Sequence, residues 1–156
     1  MNSRFLLAWQ LGQSSSADAP VIIVDTNVFS EATRPDPEPL VLAWMARRGG
    51  EIGTTSVTVA ELRYGIARMP EGARKHKLEL LVDTVLAGVS VLPFDEDAAA
   101  AYALIRTRQE AAGIVASELD IQIAAIAAIG GHSLATRNVK HFDGTGIAVI
   151  DPWVDQ

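Results

Sequence analysis

The sequence contains no cysteine. That absence excludes disulfides, thiolate metal sites and cysteine nucleophiles. There is no surplus of basic residues either: 13 Lys and Arg stand against 19 Asp and Glu, a formal net charge of −6. Bulk electrostatic attraction to nucleic acid is thereby excluded, and only a local basic patch is left open. No apolar run approaches the ~20 residues of a membrane span. The apolar core of Phe5–Trp9 is too short for a signal peptide. A soluble, cytoplasmic protein without membrane attachment is expected. No Gly-x-x-x-x-Gly-Lys phosphate loop and no internal repeat occur. His76, His132 and His141 lack the spacing of metal ligands and read as surface or loop histidines.

What is present is enough for one domain with a substantial core: 156 residues, 49% hydrophobic, mean hydropathy +0.20. Residues 13–20, QSSSADAP, form a small-polar linker. Residues 1–20 are therefore expected to be a flexible extension, with the folded domain over 21–154. From Val21 onward strand-like and helix-like runs alternate. The strand candidates are 21–24, 52–57, 89–94, 133–136 and 147–150, rich in Val, Ile and Thr. Helical patterns fill the gaps over 40–48, 58–69, 74–86, 95–112 and 117–129, punctuated by Pro and by Gly pairs. Such alternation predicts a three-layer α/β/α domain with a mostly parallel sheet. The pattern does not fix the order of the strands.

Three acids share one kind of position. Asp25 ends the first strand, Glu61 closes a Thr58-x-x-Glu61 capping box, and Asp120 stands at the start of the helix after Ser117. Taken singly, each is an ordinary satisfier of helix-start amides. Taken together they mean more, because an open α/β sheet gathers its strand ends into one crevice. Clustered carboxylates repel unless a cation joins them. An all-oxygen donor set favours Mg²⁺, with Mn²⁺ as the alternative.

Five blocks then occur in order: Asp25-Thr26-Asn27-Val28-Phe29-Ser30-Glu31, Thr58-x-Ala60-Glu61-Leu62-x-Tyr64-Gly65-Ile66, Leu92-Pro93-Phe94-Asp95, Asp120-x-Gln122-Ile123-Ala124-Ala125-Ile126-Ala127, and Ala135-Thr136-Arg137-Asn138. Together they resemble a PIN domain, and more narrowly the VapC/FitB-type toxins of bacterial toxin–antitoxin pairs. The resemblance runs from Val21 to Trp153. It implies a PIN fold, a Mg²⁺-dependent endoribonuclease, RNA as substrate, a cognate antitoxin as partner and a homodimer. It also implies that Asp25, Glu61 and Asp120 are catalytic and metal-binding; since Mg²⁺ keeps several of its waters, Asp25 and Asp120 are the expected direct ligands and Glu61 a water-mediated ligand or water-orienting base.

At the fourth acidic position of the family this chain has Asn138, which brings no charge; Asp143, five residues on, is the alternative. Thr26, Asn27 and Thr136 are expected to hydrogen-bond the ligands or their water. Arg137 and Lys140 follow the fourth strand and are the expected RNA phosphate contacts. Arg74–Lys77 reads as a solvated helix face, and Trp44 and Trp153 as core. Two rivals remain. A phosphohydrolase with an aspartyl nucleophile wants a second Asp where Asn27 stands. A non-catalytic RNA-binding or antitoxin-titrating module is the other, motivated by Asn138 and the acidic net charge.

Overall fold

The structure is a computed structural model and describes residues 19–154. Of the extension expected over 1–20, residues 1–18 lie outside the described residues. Five strands form one parallel sheet: β1 (Ile22–Val24), β2 (Ile52–Thr55), β3 (Ser90–Leu92), β4 (Ser133–Ala135) and β5 (Val149–Ile150), in the order β3-β2-β1-β4-β5. Ile22 pairs with Ile52 on one side and Ser133 on the other, and Val24 pairs with Ala135. Six α-helices cross between them: α1 (Thr26–Ala32), α2 (Pro39–Arg48), α3 (Ser56–Ala67), α4 (Ala73–Leu86), α5 (Glu96–Ala111) and α6 (Glu118–Gly130).

The chain leaves β1 for β2 and β3 on one side, then returns to place β4 on the other. The order in which strands are added therefore reverses between β1 and β4. The crevice beyond the carboxyl ends of these strands is where an open parallel sheet can take a ligand.

Alternate residues of β1 face opposite layers. Ile23 packs with Leu134, Ile105 of α5 and Ile121, Ile123 and Ile126 of α6. Ile22 and Val24 pack instead with Val28, Phe29, Val41, Trp44, Met45 and Val85 on the other face. A strand buried on both faces must be apolar throughout, which accounts for the uninterrupted run Val21–Val24. No helix among the described residues is long and apolar enough to cross a membrane.

The expected three-layer order is what the structure shows, with local corrections at strand ends, among them a third strand of Ser90–Leu92 rather than 89–94. The second strand stops at Thr55 rather than Val57, because Thr55 accepts the Thr58 N–H at 3.0 Å and caps α3 itself. Glu61 thus lies in the second turn of α3 and closes no capping box. The 147–150 strand shrinks to two residues, as Gly146 turns the chain at a φ of 81°.

Two close approaches make the sheet testable. A Cβ on Gly53 would stand 2.8 Å from Val21 Cγ2 and 3.3 Å from the Ser90 carbonyl. Gly53→Ala is therefore expected to cost about 1–3 kcal/mol by overpacking, read as a lower urea midpoint. His132 is half-buried, accepts the Val21 N–H on Nδ1 at 3.2 Å, and must be neutral at that nitrogen. Burial pushes its pKa below the ordinary 6.5. The unfolded chain then binds this proton more readily than the folded one, so stability is full above 6.5 and falls as pH drops below it. Melting curves between pH 7.5 and 5 should show this loss, and His132→Asn should reduce it.

Candidate active site

Asp25 is placed by two elements at once. It extends β1, donating its N–H to the Ala135 carbonyl at 3.2 Å, and it is the N-cap of α1. Its Oδ1 accepts the N–H groups of Asn27 (2.9 Å) and Val28 (3.2 Å). Its Oδ2 accepts the Asn27 side-chain amide at 3.1 Å and the Thr136 hydroxyl at 2.5 Å. The carboxylate is only 6% exposed. Burial raises its pKa, and the Thr136, Val28 and Asn27 hydrogen bonds only partly oppose that rise. Four neutral donors hold the group without neutralising it.

Thr136 ends β4 and is fully buried. While donating to Asp25, its Oγ1 also accepts the Asn138 N–H at 3.0 Å. Asn138 opens a short 3₁₀ turn over Val139–Phe142. This relay joins the fourth block to the first. Asn138 is thus one residue removed from Asp25 through a hydroxyl, with its own side chain exposed.

Glu61 reaches the same corner from α3, accepting the Thr26 hydroxyl at 2.8 Å. Thr26 is the residue after Asp25, so the two acids are tied to consecutive positions of one turn. Asp120 comes from α6, where Ser117 caps its N–H at 3.1 Å and leaves its carboxylate unengaged by the helix start. His141 Nδ1 lies 3.0 Å from Asp120 Oδ2. Asp120 has no direct hydrogen bond to Asp25 or Glu61 among the described residues. Asp143 lies at the far end of the 3₁₀ turn, its carbonyl accepting Gln109 Nε2 at 3.1 Å.

Three residues here escaped the sequence. His141, read as a loop histidine, is paired with Asp120. Its carbonyl is held by Gln109 Nε2 at 3.1 Å, so the buried Gln109 of α5 anchors the turn that presents it. Trp153 packs against the core as read, half-buried, and in addition carries the Arg137 guanidinium 5.3 Å above its ring. Glu31 is buried although charged: its carboxylate accepts the Glu38 N–H and an Arg34 N–H, both at 2.9 Å, which hold its pKa below the usual range. The Glu31-x-x-Arg34 spacing was the one available signal. Lys140 is exposed at the 3₁₀ turn.

Among the described residues, no three His, Cys, Asp or Glu side chains already form a metal cage. The donor types nevertheless suit a hard cation: carboxylates, an amide and hydroxyls, with neutral donors alone around buried Asp25.

This fold and its strand-end acids define a class. The PIN domain family model matches residues 22–146, and the chain belongs to that family. Among its relatives is VapC ribonuclease Y4jK of Sinorhizobium fredii, 41% identical over 138 residues, 85% of this chain and 98% of the relative. Toxin FitB of Neisseria gonorrhoeae is 39% identical over 140 residues, 86% of this chain and all of FitB. A solved structure of FitAB bound to an IR36 DNA fragment superposes with a TM-score of 0.80 at 35% identity, covering 87% of this chain and 98% of that one.

The Thr136 relay yields a prediction. Thr136→Val keeps the volume and removes both hydrogen bonds, and is expected to cost about 1–3 kcal/mol because a buried carboxylate loses a donor. Thr136→Ser keeps the hydroxyl and should lose less. Urea unfolding of the three proteins side by side checks the order.

Proposed function

We propose that this chain is a Mg²⁺-dependent endoribonuclease, the toxin of a toxin–antitoxin pair, silenced by a cognate antitoxin and working as a cytoplasmic homodimer. The observation that carries the reading is the Asp25 carboxylate, buried and held by four neutral donors at the end of β1, beside the turn where Thr26 binds Glu61. Relatives named as a VapC ribonuclease and as toxin FitB support it.

In this reading Asp25 and Asp120 hold the cation directly, and Glu61 acts through a water, since Mg²⁺ keeps several of its waters. A cation held by these carboxylates would supply charge stabilisation at the phosphate and would acidify an attacking water. The chain's own groups do the positioning. Thr136 and Asn27 fix the Asp25 rotamer, Thr26 fixes Glu61, and His141 fixes Asp120. Asn138 and Asp143 compete for the fourth position, and Asn138 is favoured by its link to Thr136. Arg137 and Lys140 meet the RNA backbone.

Incubation of total RNA with purified protein, followed by mapping of 5′ ends, tests the activity. Discrete cuts that need Mg²⁺ and vanish in Asp25→Asn are expected. Metal also has a readout without RNA: Mg²⁺ should raise the melting temperature of the wild type and leave that of Asp25→Asn unchanged. RNA binding with no Mg²⁺-dependent cleavage would favour the non-catalytic module instead.

Asn138→Asp would add a fourth charge to the cluster. A lower Mg²⁺ requirement is expected, together with a metal-free protein of lower stability at neutral pH through like-charge repulsion. Cleavage against Mg²⁺ concentration and melting with and without metal measure both. Identical curves for the two proteins would transfer the fourth position to Asp143.

A further inference from the structure

A pocket of about 320 Å³ opens beside the carboxylate site, lined by Asn27, Ser30, Glu31, Arg34, Arg137 and Trp153. It shares a wall with that site, because the Asn27 side chain also donates to Asp25. The charges in it are unusual for an acidic chain: two guanidinium groups and one carboxylate, a net excess of one positive charge.

Neither cation is loose. Glu31, its side chain 7% exposed, accepts Arg34 Nη1 at 2.9 Å through Oε2. Its other oxygen is fixed by the Glu38 N–H at 2.9 Å, so the carboxylate cannot swing away. Arg137 lies over the Trp153 ring, and its charge also reaches Glu31. The Trp153 backbone N–H in turn donates to the Asp151 carboxylate at 2.9 Å. A guanidinium uses one edge for an ion pair or one face for stacking, and keeps further N–H donors for an oxyanion.

We propose that Arg34 and Arg137 form a subsite for the phosphate adjacent to the scissile one, with Glu31 and Trp153 as the residues that position them. The proposal rests on the endoribonuclease reading and extends it by one nucleotide. An RNA phosphate suits the pocket better than an acidic protein side chain, because the pocket is continuous with the Asp25 wall that the cleaved strand must follow. Thr136, which binds Asp25, directly precedes Arg137, so strand β4 sets the distance between the two places. Glu31 keeps the two cations from repelling each other open, and it lies below the phosphate rather than facing bulk solvent.

The test uses the full chain and a fluorescent, uncleavable 2′-O-methyl oligoribonucleotide, with affinity measured by anisotropy across salt concentrations. Each phosphate of a single strand that the protein no longer neutralises should reduce the slope of log affinity against log salt by about 0.7. Arg34→Ala and Arg137→Ala should each show that reduction, and Arg34→Lys should restore most of it. Glu31→Gln should weaken binding without removing a cation, the mark of a positioning residue. Arg34 is exposed, and equal melting temperatures for its variants certify the fold. Unchanged slopes in a protein whose wild type binds and cleaves RNA would overturn the subsite alone. Unchanged RNA slopes with weakened binding of the antitoxin would assign the pocket to protein and also overturn it. A wild type that neither binds nor cleaves RNA would overturn the endoribonuclease reading along with it.

Discussion

The contact between the Asp25 carboxylate and the Thr136 hydroxyl is the constraint on which the site depends. It ties the end of β1 to the end of β4, the two parallel neighbours between which the order of strand addition reverses. A carboxylate buried there is costly, and the structure offsets part of that cost with a helix start, an amide and a hydroxyl. All four donors are neutral. The corner is therefore satisfied in its hydrogen bonds yet still short of positive charge, the condition in which a bound cation contributes most.

From that corner the other functional groups follow by short tethers. Thr26 carries Glu61, Asn27 opens onto the pocket of Glu31, Arg34, Arg137 and Trp153, and Thr136 carries Asn138. Asp120 belongs to a separate arm, stiffened by the Ser117 cap, the His141 contact and the Gln109 clamp on the 3₁₀ turn. The division is mechanical as well as spatial. The Asp25 corner is set by the sheet, whereas Asp120 is set by the packing of α5 on α6.

Much of this architecture was legible in the residues. The apolar run of Val21–Val24 announced a strand buried on both faces, and the five ordered blocks announced the family. Local errors came where two capping choices competed: Thr55 and Thr58 each precede an acid or a hydroxyl at cap spacing, and only the fold decides which one binds an amide. The pairing of His141 with Asp120 spans 21 residues, and the stacking of Arg137 on Trp153 spans a loop and a strand. Contacts of that range leave no local periodicity, so no reading of spacing could have found them. Glu31–Arg34 was visible as an i,i+3 pair, but its burial was not, because burial there depends on the Pro35–Pro39 turn folding back to bring the Glu38 N–H onto the carboxylate.

The proposed chemistry depends on Asp25 anchoring a divalent cation shared with Asp120. Anomalous diffraction from crystals soaked in Mn²⁺ measures this most directly, since the ion reports its own position. One strong peak is expected, bound by the carboxylates of Asp25 and Asp120, at about 2.0–2.2 Å if Mn²⁺ follows the Mg²⁺ pattern. A peak at some other group of residues, or none at a Mn²⁺ concentration that supports cleavage, would contradict it.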